Sequence, residues 1–558
     1  MNFRKVNNIT GWLVFAIAYV TYLLTMEATA SLWDCGEFLS TAYRLEVGHS
    51  PGAPLFMMLG RLFAILAPAP DKVAVFINSM SALMSGLTIL FLFWTITHFA
   101  RKLVVKQDED LSTGNLIAIM GAGIVGALAY TFSDTFWFSA VEGEVYATSS
   151  FFTAIVFWAV LKWEHQADNP HADRWLILIF YLMGLSIGVH LLNLLTIPAI
   201  VMVYYFKRYN VTVMGAVIAF FVGCLILGVV QFGIIQYLPI FASQFELLFV
   251  NTLHMPFNSG ALFFILLLAI MFAIGLIKDK KPWHHIALRV LYIFVVLIGT
   301  GSSIVAKVVL IALIVVQYVF FKTKDKSRGV IQLAVLSMLF TIIGYSSYVT
   351  IIVRSNADVP IDMGNPDNVM TLIPYLQRDQ YGSQPLIMGP DFTSRMTAAN
   401  DGREIYAAVK KDGKETYELV DHKPEYEYDR VRFFPRIHDF NDANHINYYR
   451  SYLNLGEGDE PTAMDNQKFF WGYQMNWMYW RYVMWNFAGR QNDVEGQGEA
   501  HNGNWISGIK PIDKLMGRGD LDKMPESFRN SKANNKLYFL PLILGFIGVV
   551  YQFNRDRR

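Results

Sequence analysis

The sequence predicts a polytopic α-helical membrane protein with about twelve transmembrane helices and a hydrophilic α+β block near its C-terminal end. Two observations lead to this fold class, and a third excludes one class of function. Of the 558 residues, 54% are hydrophobic and only 16% are charged. The apolar residues form repeated runs of about 17–25 residues, and short basic loops separate these runs. The formal net charge of +1 excludes the basic excess that is typical of a dedicated nucleic-acid-binding protein.

The first apolar run, residues 11–27, is predicted to be a span that starts in the cytoplasm. A basic start and the small residues 28–30 also match a cleavable signal peptide. Cleavage there would remove the first membrane anchor, so we favour an uncleaved span. The next apolar segment, residues 53–66, is too short to cross a bilayer and carries Arg61. It is predicted to be a helix lying at the outer membrane interface.

The remaining spans are predicted from the length of each apolar run and oriented by the basic loops. They cover residues 73–99, 114–133, 145–162, 175–206, 211–238, 260–277, 285–301, 303–321, 329–353 and 537–553. The run 175–206 is too long for one span and is expected to break near Gly188–His190 into two. Residues 240–253 are predicted to form a separate outer amphipathic piece. Every strongly basic short loop then lies on one side, which predicts that both termini are cytoplasmic.

Residues 354–536 differ from the rest because they are polar and contain no apolar run of span length. Short β-like pieces are predicted at 416–420 and 425–434, between turn signals. The orientation of the spans predicts that this block lies outside the cytoplasm. The chain is therefore expected to consist of a membrane domain (1–353), this outer block, and a last span with a basic cytoplasmic tail (537–558).

The loop after the first span concentrates ionisable residues. Asp34, Glu37, Arg44, Glu46 and His49 fall within sixteen positions. Charge is costly in a chain that is mostly membrane unless it lies at the water boundary, is paired, or takes part in chemistry. From spacing alone, a solvated interfacial loop is about as good an interpretation as a functional site. The glycines and prolines around His49 favour a shaped pocket.

Further candidate site residues lie at the predicted outer ends of spans and in the outer block. Glu142 and Glu144 could orient an acceptor or bind a metal, or could simply favour the dipole of the helix that follows. His190 with Asn193 could bind a phosphate or a sugar hydroxyl, or His190 could be a hydrogen-bonded core histidine. Arg378 could face a phosphate or occupy a turn. The central parts of the spans contain almost no carboxylates, which favours a reactive cleft at the membrane boundary over a transport path.

Residues 471–485 form the densest aromatic run of the chain. A helix packed on the membrane face is our first interpretation of this run. Recognition of sugar or peptide by the aromatic rings with Arg481 or Arg490 is the second. The sequence contains no Walker loop, no dinucleotide-binding fingerprint and no HExxH motif. Its two cysteines, Cys35 and Cys224, are not expected to form a disulfide or a thiolate zinc site.

Three motifs taken together resemble the bacterial and animal protein O-mannosyltransferase-like membrane proteins. They are Asp34-x-Gly-Glu37 with Gly48-His-x-Pro-Gly-x-Pro54, then Gly184-Leu-Ser-x-Gly-Val-His-Leu-Leu-Asn193, and then Trp477-Met-Tyr-Trp-Arg-Tyr continuing to Asp493. The second and third fit the bacterial branch of that family. Ser50 departs from the usual proline. Bacterial relatives continue beyond the last span, so we expect this chain to be a short form or a fragment.

The resemblance implies a GT-C glycosyltransferase fold and inverting transfer of a hexose, with mannose as the expected sugar. The donor would be a polyprenyl phosphate sugar and the acceptor a Ser/Thr hydroxyl of an exported protein. Asp34 would be the catalytic base, and Glu37 and His49 would line the same site. Candidate groups for the leaving phosphate are His190, Arg61 and Arg378.

The implied partners are membrane lipid, the lipid-linked donor and the acceptor protein, with no nucleic acid. No cofactor and no metal are expected beyond the donor substrate. The expected location is the bacterial inner membrane, with the site on the periplasmic face. Two rival classes are a secondary transporter and a non-catalytic membrane scaffold. A transporter would need an ionisable group near the bilayer midplane, and a scaffold would tolerate replacement of its acidic residues.

Overall fold

The computed structural model describes residues 2–105, 111–277, 280–304, 306–308, 310, 326–382 and 384–556. Within these residues, nine helices are long and apolar enough to span a membrane. They are Phe3–Thr25, Pro70–Val104, Thr113–Thr131, Val145–Gln166, Leu191–Arg208, Val213–Thr252, Ser259–Leu276, Pro282–Gly299 and Gln332–Ser355. The protein is therefore a polytopic α-helical membrane protein. Most of the predicted span 303–321 lies outside the described residues.

Shorter helices connect the spans and fill much of the polar block. They are Cys35–Arg44, Pro54–Ile65, Asp134–Ala140, Arg174–Ile187, Val369–Gln377, Ala443–Leu453, Ala463–Lys468, Phe469–Trp480, Arg481–Phe487, Lys510–Leu515, Glu526–Arg529 and Leu540–Arg555. The predicted short helix after the first loop is confirmed as Pro54–Ile65, which begins with a proline at its first turn. The predicted last span corresponds to the apolar helix Leu540–Arg555, which has only 16 residues.

The predicted break in the long apolar run at 175–206 is confirmed. One helix ends at Ile187, and the next segment begins at Leu191 as a 3-10 turn. The buried Asn193 amide donates a hydrogen bond of 3.0 Å to the Ser186 hydroxyl, and the Asn193 carbonyl accepts one of 2.7 Å from Thr196. Such side-chain bonds compete with regular helix hydrogen bonding, which explains why the run divides here.

The prediction of a separate outer piece at 240–253 is wrong. Residues Val213–Thr252 form one helical run of 40 residues, with π-helical turns at Val229–Tyr237. The wider turns lie directly before Pro239, whose ring a regular helix would not accommodate. At 1.5 Å per residue the helix is about 60 Å long, roughly twice the hydrocarbon thickness of a bilayer. It therefore continues well beyond one membrane crossing.

The chain groups into two compact units. The first comprises Met1–Thr131, Phe136–Tyr381 and Ile405–Val420, and the second comprises Phe132–Thr135, Gly382–Glu404 and Asp421–Arg558. The first unit holds the candidate spans that the described residues contain. The second holds the helix Leu540–Arg555 and a two-stranded antiparallel sheet in which Met388 pairs with Phe433 and Gly389 with Arg432. The division into a membrane domain, an outer block and a last span stays a prediction.

A long β-hairpin joins strands Met396–Lys411 and Lys414–Tyr428. Asp412 and Gly413 both have positive φ, 51° and 76°, as a tight two-residue hairpin turn requires. The predicted β-like piece at 416–420 is confirmed, whereas the partner strand was missed because it is charged and mostly exposed. Within the first unit, the Asn251 amide pairs with the backbone of Tyr417 in both directions at 2.8 Å, which fixes the tip of the hairpin.

The helix Cys35–Arg44 is amphipathic, and its apolar face is held by the surrounding helices. Phe38, Leu39 and Ala42 lie on that face and belong to a buried cluster that also contains Phe56 and Ile77. Their spacing of three and four residues places them on one side of the helix. This packing fixes the orientation of the opposite, polar face of the helix, which carries the carboxylate of Glu37.

Candidate active site

Asp34, Glu37 and His49 lie together at the start of the helix Cys35–Arg44. One carboxylate oxygen of Glu37 accepts two hydrogen bonds from His49, at 2.6 Å from the backbone N–H and at 2.9 Å from ring Nδ1. The other ring nitrogen of His49, Nε2, lies 3.9 Å from a carboxylate oxygen of Asp34. Asp34 is 58% exposed, whereas the side chains of Glu37 and His49 are mostly buried. The exposed carboxylate is thus backed by a fixed imidazole.

The contact between Glu37 and His49 changes the ionisation of both groups. Burial alone would raise the pKa of Glu37, but the hydrogen bonds from His49 outweigh it and lower that pKa. The hydrogen bond to Glu37 raises the pKa of His49. The pair therefore favours a charged imidazolium beside a charged carboxylate. Gly48 makes the contact possible, because a Cβ at that position would lie 2.7 Å from the accepting oxygen of Glu37.

Glu142 and Glu144 bring two further carboxyl groups to the same region. Both are about 95% buried, and the Ser31 hydroxyl donates a hydrogen bond to Glu142. Glu144 precedes the helix Val145–Gln166 and accepts a hydrogen bond of 3.0 Å from the backbone N–H of Val145. Burial raises the pKa of Glu142, and it raises the pKa of Glu144 to about 7 with a further contribution from nearby Asp34. Glu144 can therefore exchange a proton near neutral pH.

His190 and Arg378 are donor groups in the same region, since the charge of Arg378 acts on both His49 and His190. The Nδ1 atom of His190 accepts a hydrogen bond of 3.2 Å from the backbone N–H of Leu192, so Nε2 carries the proton in the neutral ring. Burial lowers the pKa of His190, and the charge of Arg378 lowers it further. Arg378 packs its guanidinium over the Tyr381 ring at 4.7 Å. Within the part of the chain that the structure describes, no carboxylate forms an ion pair with Arg378.

Tyr375 ties the loop that carries His49 to the rest of the first unit. Its hydroxyl donates a hydrogen bond of 2.6 Å to the carbonyl of Gly48, across 327 positions of sequence. The Ser50 hydroxyl donates in turn to the backbone carbonyl of Tyr375. Arg378 follows Tyr375 by three residues and has a left-handed φ of 58° at the end of the helix Val369–Gln377. These bonds bring Arg378 to the loop that carries the acidic motif.

Two of the residues predicted from the sequence are engaged elsewhere. Asn193 is fully buried, and its amide and carbonyl groups bond to Ser186 and Thr196 in the helix break. Arg61 donates to the backbone carbonyl of Tyr43, near the C-terminal end of the helix Cys35–Arg44. Their substrate-binding roles stay predictions, since both side chains already have structural partners.

Sequence reasoning missed Tyr146 and Tyr375. The Tyr146 ring lies 5.4 Å from the His190 ring, and its side chain is 48% exposed. The sequence feature that could have identified Tyr146 is its position two residues after Glu144. Nothing in the sequence pattern marked Tyr375, which lies within a polar block far from the acidic loop. Among the described residues, no group of three or more His, Cys, Asp or Glu side chains is arranged to hold a metal ion.

Residues 34–213 match the family model of the protein O-mannosyl-transferase TMEM260 N-terminal domain. The predicted resemblance to the O-mannosyltransferase-like family is confirmed over these residues. The matched region begins at Asp34 and includes the other candidate site residues described above apart from Tyr375 and Arg378. Residues 382–471 match a family of unknown function (DUF8416). The bacterial branch of the predicted family stays a prediction.

Two curated relatives carry the same family name. Over 204 residues the chain is 26% identical to Protein O-mannosyl-transferase tmem260 of Dictyostelium discoideum, covering 35% of this chain and 22% of the relative. Over 174 residues it is 25% identical to Protein O-mannosyl-transferase TMEM260 of Mus musculus, covering 31% of this chain and 22% of the relative. The similarity thus spans about a fifth of the length of either relative.

Proposed function

We propose that the chain is a membrane glycosyltransferase of protein O-mannosylation. It transfers a hexose, with mannose as the expected sugar, from a polyprenyl phosphate to Ser/Thr hydroxyls of exported proteins. The observation that carries the proposal is the exposed Asp34 carboxylate, backed by the His49–Glu37 pair, on whose imidazole the charge of Arg378 also acts. The names of the relatives support the same chemistry. A GT-C fold, about twelve spans and a periplasmic site belong to this proposal.

Asp34 is the base in the proposed reaction. An alcohol is a weak nucleophile, so a carboxylate must accept its proton while the new bond to the anomeric carbon forms. The exposure of Asp34 leaves room for an acceptor hydroxyl, which the buried Glu142 and Glu144 do not offer. His49 is a positioning residue, because Glu37 fixes its ring and its Nε2 lies 3.9 Å from the Asp34 carboxylate.

The leaving phosphate requires positive or donor groups. The bond between the anomeric carbon and the phosphate oxygen breaks, its electron pair leaves with the phosphate, and the acceptor oxygen bonds to the opposite face of the carbon. Arg378 has a guanidinium without a carboxylate partner among the described residues, and His190 offers its Nε2–H. Both can bind the departing phosphate, while the two substrates react directly without a covalent sugar–enzyme intermediate.

An apolar cavity beside His190 fits the lipid part of the proposed donor. Its volume is about 480 Å³, and it opens between the 3-10 turn after His190 and the long helix Val213–Thr252. Its lining residues are Leu191, Leu192, Leu194, Leu195, Cys224, Leu227, Gly228, Gln231 and Phe232. Since Gln231 is the only lining side chain with strong hydrogen-bonding groups, hydrocarbon is the favoured occupant. A donor phosphate at His190 would lead its isoprenoid chain into this cavity.

The test replaces Asp34 by Asn in the full chain. Exported proteins are compared by intact-mass glycoproteomics between cells with the wild-type chain, the Asp34→Asn variant, and no chain. The matched control is Asp71→Asn, which removes an exposed carboxylate paired with Lys72 outside the site. We expect hexose on Ser/Thr to be lost in the Asp34→Asn and null cells and to persist in the control. Unchanged glycans with Asp34→Asn would refute the role of Asp34, and unchanged glycans in the null would refute the proposed function.

A further inference from the structure

Tyr146 places a phenol beside the candidate active site. It is the second residue of the helix Val145–Gln166 and follows the carboxyl group of Glu144. Its neighbours Val145 and Ala147 are buried, whereas the side chain of Tyr146 is 48% exposed. Among the described residues, none forms a hydrogen bond with the Tyr146 hydroxyl. The helix therefore directs an unpaired phenol into accessible space.

The ring of Tyr146 is held while its hydroxyl stays available. The ring lies 5.4 Å from the imidazole of His190 at an angle of 55°. His190 itself is fixed by the hydrogen bond from the backbone N–H of Leu192. A packed aromatic ring loses little further entropy when its polar tip binds a ligand. Tyr146 is therefore preorganised for binding.

Both halves of the proposed chemistry lie within electrostatic range of this phenol. Glu144 and Asp34 supply the carboxylates, and Arg378 supplies the cation. In the proposed transfer, the anomeric carbon must lie between the acceptor hydroxyl at Asp34 and the leaving phosphate at Arg378 and His190. The pyranose ring then lies among these groups, and Asp34 and Arg378 both act electrostatically on the phenol of Tyr146.

We propose that the hydroxyl of Tyr146 binds a hydroxyl group of the transferred hexose and so contributes to the choice of sugar. This inference rests on the proposed function. A phenol hydroxyl both donates and accepts hydrogen bonds, as a sugar hydroxyl does, whereas Arg378 can only donate. A site that binds a substrate hydroxyl discriminates against an analogue that lacks it, because the protein group then loses its partner.

The test compares the wild-type chain with Tyr146→Phe, which keeps the ring against His190 and removes only the oxygen. Transfer is measured with the lipid-phosphate hexose and with its 2-, 3-, 4- and 6-deoxy analogues. The matched control is Tyr209→Phe, which removes a hydroxyl from an exposed ring stacked on Tyr205, away from the site. We expect Tyr146→Phe to lower kcat/KM for the hexose about tenfold. One deoxy analogue should be transferred equally by the variant and the wild type.

Three results would contradict the inference. A Tyr146→Phe variant with unchanged kcat/KM for the hexose would refute it. An equal loss with the hexose and all four deoxy analogues would also refute it, since the hydroxyl would then act on the phosphate or on the protein. A wild-type chain that transfers no hexose from the lipid phosphate would refute the proposed function, and this inference with it.

Discussion

Replacing Glu37 by Gln is the sharpest test of how the acidic loop is built. The substitution keeps the shape of the side chain and removes the negative charge of the carboxylate, one oxygen of which accepts hydrogen bonds of 2.6 and 2.9 Å from His49. The side chains of Glu37 and His49 are only 23% and 21% exposed, so solvent screens the interaction weakly. Hydrogen bonds to charged groups contribute about 1.5–3 kcal/mol. We expect Glu37→Gln to lower the free energy of unfolding by about that amount near pH 6.

The pH dependence follows from the two pKa shifts. The pKa of His49 is raised on folding, so its contribution to stability is complete below the ordinary value of 6.5 and is lost as the pH rises through the raised pKa. The pKa of Glu37 is lowered, so its contribution is complete above 4.5 and is lost as the pH falls through the lowered pKa. The difference in the free energy of unfolding between wild type and variant should therefore be largest between pH 4.5 and pH 6.5. It should decrease as the pH rises through the raised pKa of His49.

The assay is denaturant unfolding of the purified chain in detergent, followed across the pH range for wild type and Glu37→Gln. Asp71→Asn serves as the control, because among the described residues Asp71 pairs with its exposed neighbour Lys72, so the substitution should leave the Glu37–His49 pair intact. A stability difference between wild type and Glu37→Gln that stays constant from about pH 5 to about pH 9 would refute the charged Glu37–His49 pair. Equal stability of the two proteins at every pH would refute it as well.

Three further predictions address the rest of the site. Because burial raises the pKa of Glu144 to about 7, ionisation of this group lowers the stability of the fold increasingly from pH 4.5 to 7. At alkaline pH, the free energy of unfolding of Glu144→Gln should therefore exceed that of the wild type by up to about 3 kcal/mol. A stability difference that does not change with pH would contradict this prediction. Tyr375→Phe leaves the buried carbonyl of Gly48 without its donor and should cost about 1–3 kcal/mol in denaturant unfolding, so an unchanged midpoint would argue against this tie. A Cβ at Gly228 meets no atom within 4 Å, so Gly228→Leu should fill the apolar cavity without unfolding the helix. The Gly228→Leu variant should lower transfer from a long-chain donor more than transfer from a two-isoprene donor. The control Gly121→Leu, at another open helical glycine, should leave the ratio of the two transfer rates unchanged. Equal losses with both donors in Gly228→Leu would exclude the cavity as the lipid site.

The membrane architecture was largely predictable because hydropathy and helix breaks are local properties. The runs around residues 73–99 and 145–162 became spans, and the division near Gly188–His190 followed from small and polar residues within the run. The separate piece at 240–253 failed as a prediction because π-helical turns before Pro239 let the helix continue. Helix irregularity of this kind depends on packing, and the hydropathy pattern carries no signal for it.

The candidate site was predictable only in part. The sequence motif identified Asp34, Glu37 and His49, which lie close enough in the chain for a short helix and loop to bring them together. Arg61 and Asn193 were selected for their chemistry, yet the backbone carbonyl of Tyr43 and the side chains of the helix break engage them. A residue type indicates which bonds a side chain can form, but the packed structure decides which partner it finds.

By itself, the sequence determined a polytopic membrane protein with a region that resembles an O-mannosyltransferase-like family and an acidic motif after its first span. Apolar run length and short motifs carry that information, because each depends on residues that are neighbours in the chain. Only the tertiary structure decided that Glu144 lies near Asp34, that Tyr375 holds the carbonyl of Gly48, and that Tyr146 extends into the site. The bond between Tyr375 and Gly48 joins groups 327 positions apart, and burial that raises the pKa of Glu144 comes from packing. Neither is a periodic property of the sequence, so both appear only when the helices have packed.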